Sequence, residues 1–316
     1  MGQGKVDCFF VLICTVALGS VVALVSKLKI AVALAPVLIN GALTLFLLLV
    51  AIIYSWRDPR VARVARVAFW AVVFTSLFEL PIYFMFRLRI PFRDAALASA
   101  DRMLGLKIPS LILYVDRFPR LESVSGCIYN SLTILVAVAL LLPAILDQIN
   151  KSNEFLFGVI FCVVATLITL SFFQAVGPWV PYPQVIATHV QRAATAMLYS
   201  LKAGNPVIFN LGYPAPLVAL PSWHSIFAVL SAVALARVRI VRGIAAAWTT
   251  LILVSCITTG WHYASDVLAG VGMSLLSAYA ARRVELRFNE KPDARPDRHL
   301  SPVRDTDRPE VVDPRA

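Results

Sequence analysis

The chain has 316 residues, of which 59% are hydrophobic and 15% are charged, and its formal net charge at pH 7 is +11. Soluble domains average about 45–50% apolar residues, so this composition excludes an ordinary soluble protein and predicts an integral membrane protein. The positive charge does not indicate a nucleic-acid partner, because the Lys and Arg residues lie between apolar runs, where they orient membrane helices.

Eight apolar runs predict membrane-spanning helices, because about 20 apolar residues in a helix cross a hydrocarbon core of about 30 Å. The sixth run is the shortest, so we expect it either to start earlier or to be partly sheltered by protein. Together they predict an all-α, polytopic membrane helix bundle of about eight transmembrane helices. The runs cover residues 7–26, 31–55, 67–86, 126–146, 155–176, 222–236, 243–260 and 262–281.

The order of the runs predicts three regions. Residues 1–56 form a two-helix transmembrane hairpin, and residues 57–283 hold the remaining six spans. Residues 284–316 are dense in charge and proline. Such a segment cannot bury enough apolar area to offset chain entropy, so we expect a disordered cytoplasmic tail.

Glu79 and Pro81 interrupt the third run. A charged side chain at the bilayer centre costs about 2.5–3.5 kcal/mol on insertion scales. We therefore expect Glu79 to face protein or to be protonated. Its role is then either functional or that of a structural hydrogen bond to a neighbouring helix.

An amphipathic stretch at residues 92–118 follows the third run. Several of its Leu and Ile residues share one side of a helix, while Asp94 and Asp101 lie elsewhere. This pattern predicts an interfacial helix at the level of the lipid headgroups, broken near Pro109.

Arginine clusters at 57–66, 237–242 and 282–287 follow the second, sixth and eighth runs. Eight spans place all three clusters on one side of the membrane, and the positive-inside rule predicts that this side is cytoplasmic. The basic loop 87–125 then lies on the opposite side, against the same rule.

The first candidate site segment is "LPSWHSIFAVL", residues 220–230. Pro221 and Ser222 are typical of a helix start, and His224 follows in the first turn. Because a helix N-terminus offers unpaired N–H groups and a partial positive charge, this segment predicts a phosphate-binding helix start. Ser222 and Ser225 add hydroxyl donors.

The second candidate segment is "GWHYASDVLAG", residues 260–270. His262 and Asp266 are four residues apart and share one face of a helix. A carboxylate beside an imidazole fixes its tautomer and stabilises the protonated ring, which leaves the other ring nitrogen free to attack an electrophile. Tyr263 suits an interface, with an apolar ring and a wet hydroxyl.

The predicted topology brings both histidines to the membrane surface opposite the arginine clusters. This arrangement suits phosphoryl transfer, in which one imidazole attacks phosphorus and the other donates a proton to the leaving oxygen. The alternatives are a hydrogen-bonded interfacial histidine at each helix end, or a metal site. The sequence argues against a metal site, because it offers no third His or Cys ligand near the two segments.

"PSWHS" and "HYASDVLAG" resemble the second and third signatures of the type 2 phosphatidic acid phosphatase (PAP2) superfamily. The form HY-x-x-D-V is most similar to the branch of inositol phosphorylceramide synthases, sphingomyelin synthases and bacterial relatives. "DRMLG" at 101–105 resembles a segment that precedes the core in those relatives. The resemblance covers about residues 67–283 and implies a six-helix, PAP2-like catalytic core over 57–283.

The resemblance also implies residue roles. His262 is then the nucleophile that forms a phosphohistidine, and Asp266 orients it. His224 protonates the leaving group and later deprotonates the acceptor. Family members need no metal or other cofactor for this chemistry.

The chain departs from the superfamily in its cationic residues. The first signature, a lysine, six intervening residues and then Arg-Pro, is missing. Trp223 replaces the glycine that usually precedes the second-signature histidine. Residues 177–206 supply His189, Arg192 and Lys202 as candidate phosphate ligands. Arg192 is preferred because its planar fork matches phosphate oxygens. The alternative interpretation of each of the three is an ordinary basic residue that faces the lipid headgroups.

Two functions stay open at this point. The first is an enzyme acting on a lipid phosphate or a phosphodiester headgroup, with water or an alcohol as acceptor. The second is a non-catalytic lipid-binding or transport protein that retains the fold. The compact, Arg-rich and Ala-rich chain suggests a bacterial inner membrane, with the site facing the periplasm or the exterior.

Overall fold

A computed structural model describes residues 2–25, 30–209 and 217–289 of the chain. Helices account for nearly all of its regular structure, which confirms the predicted all-α membrane bundle. In chain order the elements are α1 Gly2–Val25, β1 Ile30–Val32, α2 Leu34–Tyr54, α3 Pro59–Arg87, α4 Asp94–Met103, α5 Ile108–Asp116, α6 Pro119–Asn130, α7 Leu132–Ile145, α8 Ile149–Leu170, α9 His189–Ala203, β2 Val207–Phe209, α10 Trp223–Leu235, α11 Arg242–Thr258 and α12 Ala264–Asn289.

Among the described residues, six helical segments are long and apolar enough to cross a membrane. They are Gln3–Ser20, Leu34–Tyr54, Pro59–Arg87, Pro119–Ile145, Ile149–Leu170 and Ala264–Phe288.

The sixth and seventh predicted spans, α10 and α11, are shorter apolar helices of 13 and 17 residues. A helix rises about 1.5 Å per residue, so each is shorter than the hydrocarbon core of about 30 Å. The short α10 packs against α7, α8, α11 and α12 and lies inside the bundle.

The first predicted hairpin does not stand apart from the bundle. Phe10 in α1 is fully buried, and its ring packs 5.0 Å from Phe74 and 4.9 Å from Phe157. In contrast, α2 has no buried residue and packs on α3. The first helix is therefore part of the core, whereas the second presents its apolar surface outward.

Contacts between distant segments define the two ends of the bundle. At one end, Asn153 at the start of α8 donates hydrogen bonds to Gln3 in α1 and to Glu285 in α12. At the other end, β1 pairs in parallel with β2, and Arg87 at the end of α3 donates to the carbonyl oxygen of Leu201 in α9. Both histidine segments lie at this second end.

The predicted tail begins later than the sequence suggests. The last helix continues through residues 284–289, because Glu285 is buried and accepts a hydrogen bond from Asn153. The remainder of the predicted tail, 290–316, lies outside the described residues.

The amphipathic stretch forms two helices, α4 and α5. The break falls at residues 104–107, where Gly105 adopts a φ of +74°, while Pro109 lies in the first turn of α5. The break therefore lies near Pro109, as predicted, and ends just before it. Proline is tolerated in the first turn of a helix, and the left-handed glycine ends the helix before it.

Candidate active site

The two histidines come together at one end of the bundle. Their ring centroids are 5.9 Å apart, with His224 in the first turn of α10 and His262 just before α12. As predicted, Ser222 caps α10 and accepts a hydrogen bond from the N–H of Ser225 at 3.3 Å. The Ser225 hydroxyl donates to the Ser222 carbonyl at 2.8 Å. Both serine hydroxyls therefore hold the helix start.

Asp266 lies beside His262 and is fully buried. Its Oδ2 atom is 3.4 Å from Nδ1 of His262 and accepts a hydrogen bond from the N–H of Tyr263 at 3.2 Å. The Asp266 carbonyl oxygen accepts from the N–H of Ser222 at 3.2 Å. The two histidine segments are thus joined by a direct backbone hydrogen bond.

Gly270 permits the close approach of α12 to α10. A Cβ atom at this position would lie 2.0 Å from Oγ of Ser225 and 2.8 Å from the carbonyl oxygen of Ser222. Since real Cβ atoms do not approach other atoms so closely, only glycine fits here without a shift of the helices. The sequence places this glycine in the motif but does not reveal what it contacts.

Asp101 holds the start of α12. It is fully buried, and its carboxylate accepts hydrogen bonds from the N–H groups of Ala264 at 3.1 Å and Ser265 at 2.8 Å. A carboxylate at a helix N-terminus satisfies orphan donors and complements the helix dipole. The amphipathic pattern had placed Asp101 away from the buried side, which is wrong.

Asp94 is likewise buried, although the pattern had placed it away from the buried side. It accepts hydrogen bonds from the N–H groups of Val176 at 2.9 Å and Gly177 at 2.8 Å, and from the Tyr263 hydroxyl at 3.0 Å. Burial raises the pKa of Asp94 and of Tyr263. The predicted wet hydroxyl of Tyr263 is wrong, because this hydroxyl binds Asp94 inside the protein.

Tyr129 in α6 is a site residue that the sequence analysis did not identify. Its ring stacks on His224, with centroids 3.8 Å apart and planes inclined by 19°. Its hydroxyl lies 3.0 Å from Nδ1 of His224. The same ring stacks on Trp261, with centroids 6.4 Å apart. No local pattern distinguishes this tyrosine from other aromatic residues of the apolar runs.

A cavity of about 370 Å³ begins at the two histidines and continues between α3, α7 and α8. Along α3 its wall extends from Tyr83 to Ala71, a distance of about 18 Å at 1.5 Å per residue. Trp223 and Glu79 also line it. The rest of its wall is largely apolar, with Phe74, Phe78, Val136, Leu140, Phe155 and Val163 among its lining residues.

The predicted cationic ligands do not line this cavity, and no Lys or Arg does within the described ranges. Lys202 contacts the carbonyl oxygen of Ile90 and lies 4.4 Å from the centre of the Phe92 ring. Partial burial lowers the pKa of Lys202. Arg192 donates to the carbonyl oxygen of Ala187.

His189 is exposed at the start of α9. The neighbouring Gln191 is buried and donates to the Gly260 carbonyl at 3.3 Å. This contact places the start of α9, including Arg192, beside the second histidine segment. Over the described part of the chain, no group of three or more His, Cys, Asp or Glu residues forms a candidate metal site.

Comparison with known proteins assigns much of the chain to a family. Residues 95–280, more than half of the chain, match a family model described as PAP2 superfamily. The matched range contains both histidine segments and most of α4, and it excludes α1, α2 and α3. No curated protein and no solved structure matches the chain.

Proposed function

The chain belongs to the PAP2 superfamily, and we propose that it is a membrane enzyme that hydrolyses or transfers the phosphoryl group of a lipid phosphate or phosphodiester. One observation carries the proposal. Two imidazoles from separate segments, with centroids 5.9 Å apart, line one end of an apolar cavity inside a membrane bundle.

In the first step, Nε2 of neutral His262 attacks phosphorus. The ester bond breaks, and the leaving oxygen takes a proton from His224. Positive charge that develops on the attacking ring is stabilised by Asp266, whose Oδ2 lies 3.4 Å from Nδ1,. The product is a phosphohistidine at His262.

In the second step, His224 accepts a proton from the acceptor hydroxyl as that oxygen attacks phosphorus. The bond from phosphorus to His262 breaks, and both rings return to their starting states. Water as acceptor gives a phosphatase, whereas an alcohol gives a transferase. The form HY-x-x-D-V favours transfer, since it is most similar to the synthase branch.

The cavity supports a substrate with a hydrocarbon chain. Its volume, about 370 Å³, lies within the range of about 300–1,000 Å³ that is usual for ligand sites. Transfer of a hydrocarbon chain from water into an apolar cavity stabilises the complex by about 0.8 kcal/mol per buried CH₂ group. A lipid tail in the cavity places its phosphate ester at the histidines.

The phosphate has two sources of stabilisation in this proposal. The first is the N-terminus of α10, where Trp223 and His224 occupy the first turn and the leading N–H groups of a helix lack internal partners. Ser222 and Ser225 shape that turn through their mutual hydrogen bonds. The second is Arg192 at the start of α9, whose planar guanidinium matches phosphate oxygens better than the side chains of His189 and Lys202 do. It lies outside the cavity wall but beside the second histidine segment.

The apolar cavity also fits a second function, that of a non-catalytic lipid-binding or transport protein. Turnover separates the two. We expect purified protein incubated with lipid phosphates and phosphodiesters to release free phosphate or to form new lipids. Both His224→Ala and His262→Ala should abolish these products, while the melting temperature of each variant in detergent stays equal to that of the wild type.

Trapping of the intermediate tests the nucleophile directly. A substrate carrying a radiolabelled phosphoryl group should label the wild-type protein, and the label should be absent from His262→Ala. Addition of candidate alcohols should divert the label from free phosphate to a new lipid if the enzyme is a transferase. Turnover that survives both histidine substitutions would exclude this mechanism, whereas a wild-type protein that turns over none of these substrates would favour the non-catalytic function.

A further inference from the structure

His224 and His262 differ in the partner of the ring nitrogen Nδ1. For His262 this partner is the carboxylate of Asp266, at 3.4 Å. In the described part of the chain, His224 forms no ion pair with a carboxylate, and its Nδ1 faces the hydroxyl of Tyr129 at 3.0 Å. Because the partner at one ring nitrogen determines which nitrogen carries the proton, this tyrosine influences what Nε2 of His224 can do.

Tyr129 also contacts the second histidine segment. Its ring lies 3.8 Å from the His224 ring and 6.4 Å from the Trp261 ring, nearly parallel to both. Trp261 immediately precedes His262 in the chain. One buried ring from α6 therefore packs against both histidine segments and constrains their separation.

We propose that Tyr129 is a positioning residue that holds His224 in the Nδ1–H tautomer and in its orientation toward the substrate. The proposal rests on the proposed function. In it, His224 alternates between a doubly protonated ring and a neutral ring that has released its proton from Nε2. In both states Nδ1–H donates to the tyrosine oxygen, so a single hydrogen bond persists through the proton-transfer cycle.

Tyr129→Phe tests this role because it keeps the stacked ring and removes only the hydroxyl. We expect kcat to fall by about 10–100-fold, the loss that follows removal of an orienting partner of a metal-ligating histidine, with KM unchanged. The defect in kcat/KM, which reports the steps up to the phosphohistidine, should depend on the leaving group. An alkyl phosphate needs a proton on its leaving oxygen, whereas 4-nitrophenyl phosphate releases the stable 4-nitrophenolate anion, so its kcat/KM should be affected far less.

Tyr114→Phe is the matched control, because Tyr114 is exposed on α5 and packs only against the Phe118 ring among the aromatic contacts described. Its kcat should equal that of the wild type for both esters. If Tyr129→Phe reduces kcat/KM for the two esters equally, or for neither, the hydroxyl does not position the proton donor and the proposal is overturned.

A second measurement does not need turnover. The chain has four histidines, so ¹⁵N-histidine NMR of the full-length protein in detergent is tractable, with His224→Ala identifying the signals. We expect the neutral His224 ring of the wild type to show the Nδ1–H tautomer, and Tyr129→Phe to show a mixture. An Nε2–H ring in the wild type, or identical spectra for the two proteins, would overturn the inference even if the proposed function holds.

Discussion

Gly270→Ala tests whether the contact of α12 with α10 sets the geometry of the active site. The new Cβ would lie 2.0 Å from Oγ of Ser225, 2.8 Å from the carbonyl oxygen of Ser222 and 3.3 Å from Cβ of Ser225. The serine hydroxyl can rotate away, but the carbonyl belongs to the backbone. It must move from 2.8 Å to at least 3.4 Å, where van der Waals contact becomes ordinary.

The cost has three parts. Rotation of the Ser225 hydroxyl breaks its bond to the Ser222 carbonyl, which is worth about 0.5–1.5 kcal/mol. Overpacking of a tight helix contact costs about 1–3 kcal/mol. Alanine recovers about 1 kcal/mol of helix propensity relative to glycine. We therefore expect a net loss of stability of about 1–3 kcal/mol, measured as a lower Tm in detergent.

The functional effect should be larger than the loss of stability suggests. Ser222 immediately precedes the histidine helix, and its N–H binds the Asp266 carbonyl, so a shift here moves both imidazoles relative to each other. A misplacement of about 1 Å can cost about 100-fold in rate, and the smaller shift expected here should lower kcat by about 10-fold or more.

Gly272→Ala provides the matched control on the same helix. No atom lies within 4 Å of its added Cβ, so Tm should be equal or higher and kcat unchanged. Wild-type Tm and kcat in Gly270→Ala would refute the reasoning. An equal loss in both variants would refute it as well, because it would indicate a general sensitivity of α12 rather than the contact with α10.

Four further outcomes are expected. Asp266→Asn should lower kcat by about 10²–10⁴-fold, because the imidazole loses its orienting charge; unchanged kcat would contradict this. Asp101→Ala should lower Tm by removing a helix cap worth about 1–2 kcal/mol, whereas an unchanged melting curve would exclude that role. Val136→Phe narrows the cavity and should shift substrate preference, measured as kcat/KM, toward shorter chains. The profile of kcat/KM against pH should be bell-shaped, because His262 must be neutral and His224 protonated; a flat profile across the titration range of imidazole would argue against this pair.

Much of the fold could be predicted because the membrane imposes a length and a polarity on each helix. The six long spans lie within or around apolar runs that are visible in the sequence. The short α10 was also expected, since its run at 222–236 is the shortest. Shelter of this helix by protein was one of two expectations, but its four neighbours were not predicted, because run length does not reveal neighbours.

Local spacing likewise predicted the elements of each histidine segment. The Ser222 cap and the pair of His262 with Asp266 depend on residues three or four apart, which a helix places together whatever surrounds it. The number of spans was enough to predict that the two segments lie at the same end of the bundle. The distance between the rings could not be obtained in this way.

The tertiary structure decided which distant residues hold those segments. Asp101 reaches Ser265 across 164 positions of the chain, and Tyr129 reaches His224 across 95. No helical period relates residues so far apart, and an aspartate in an amphipathic stretch has the same local pattern whether it faces water or caps another helix. The sequence by itself therefore determined the spans and the reactive groups, while only packing decided the cavity, the close approach at Gly270 and the partners that orient the imidazoles.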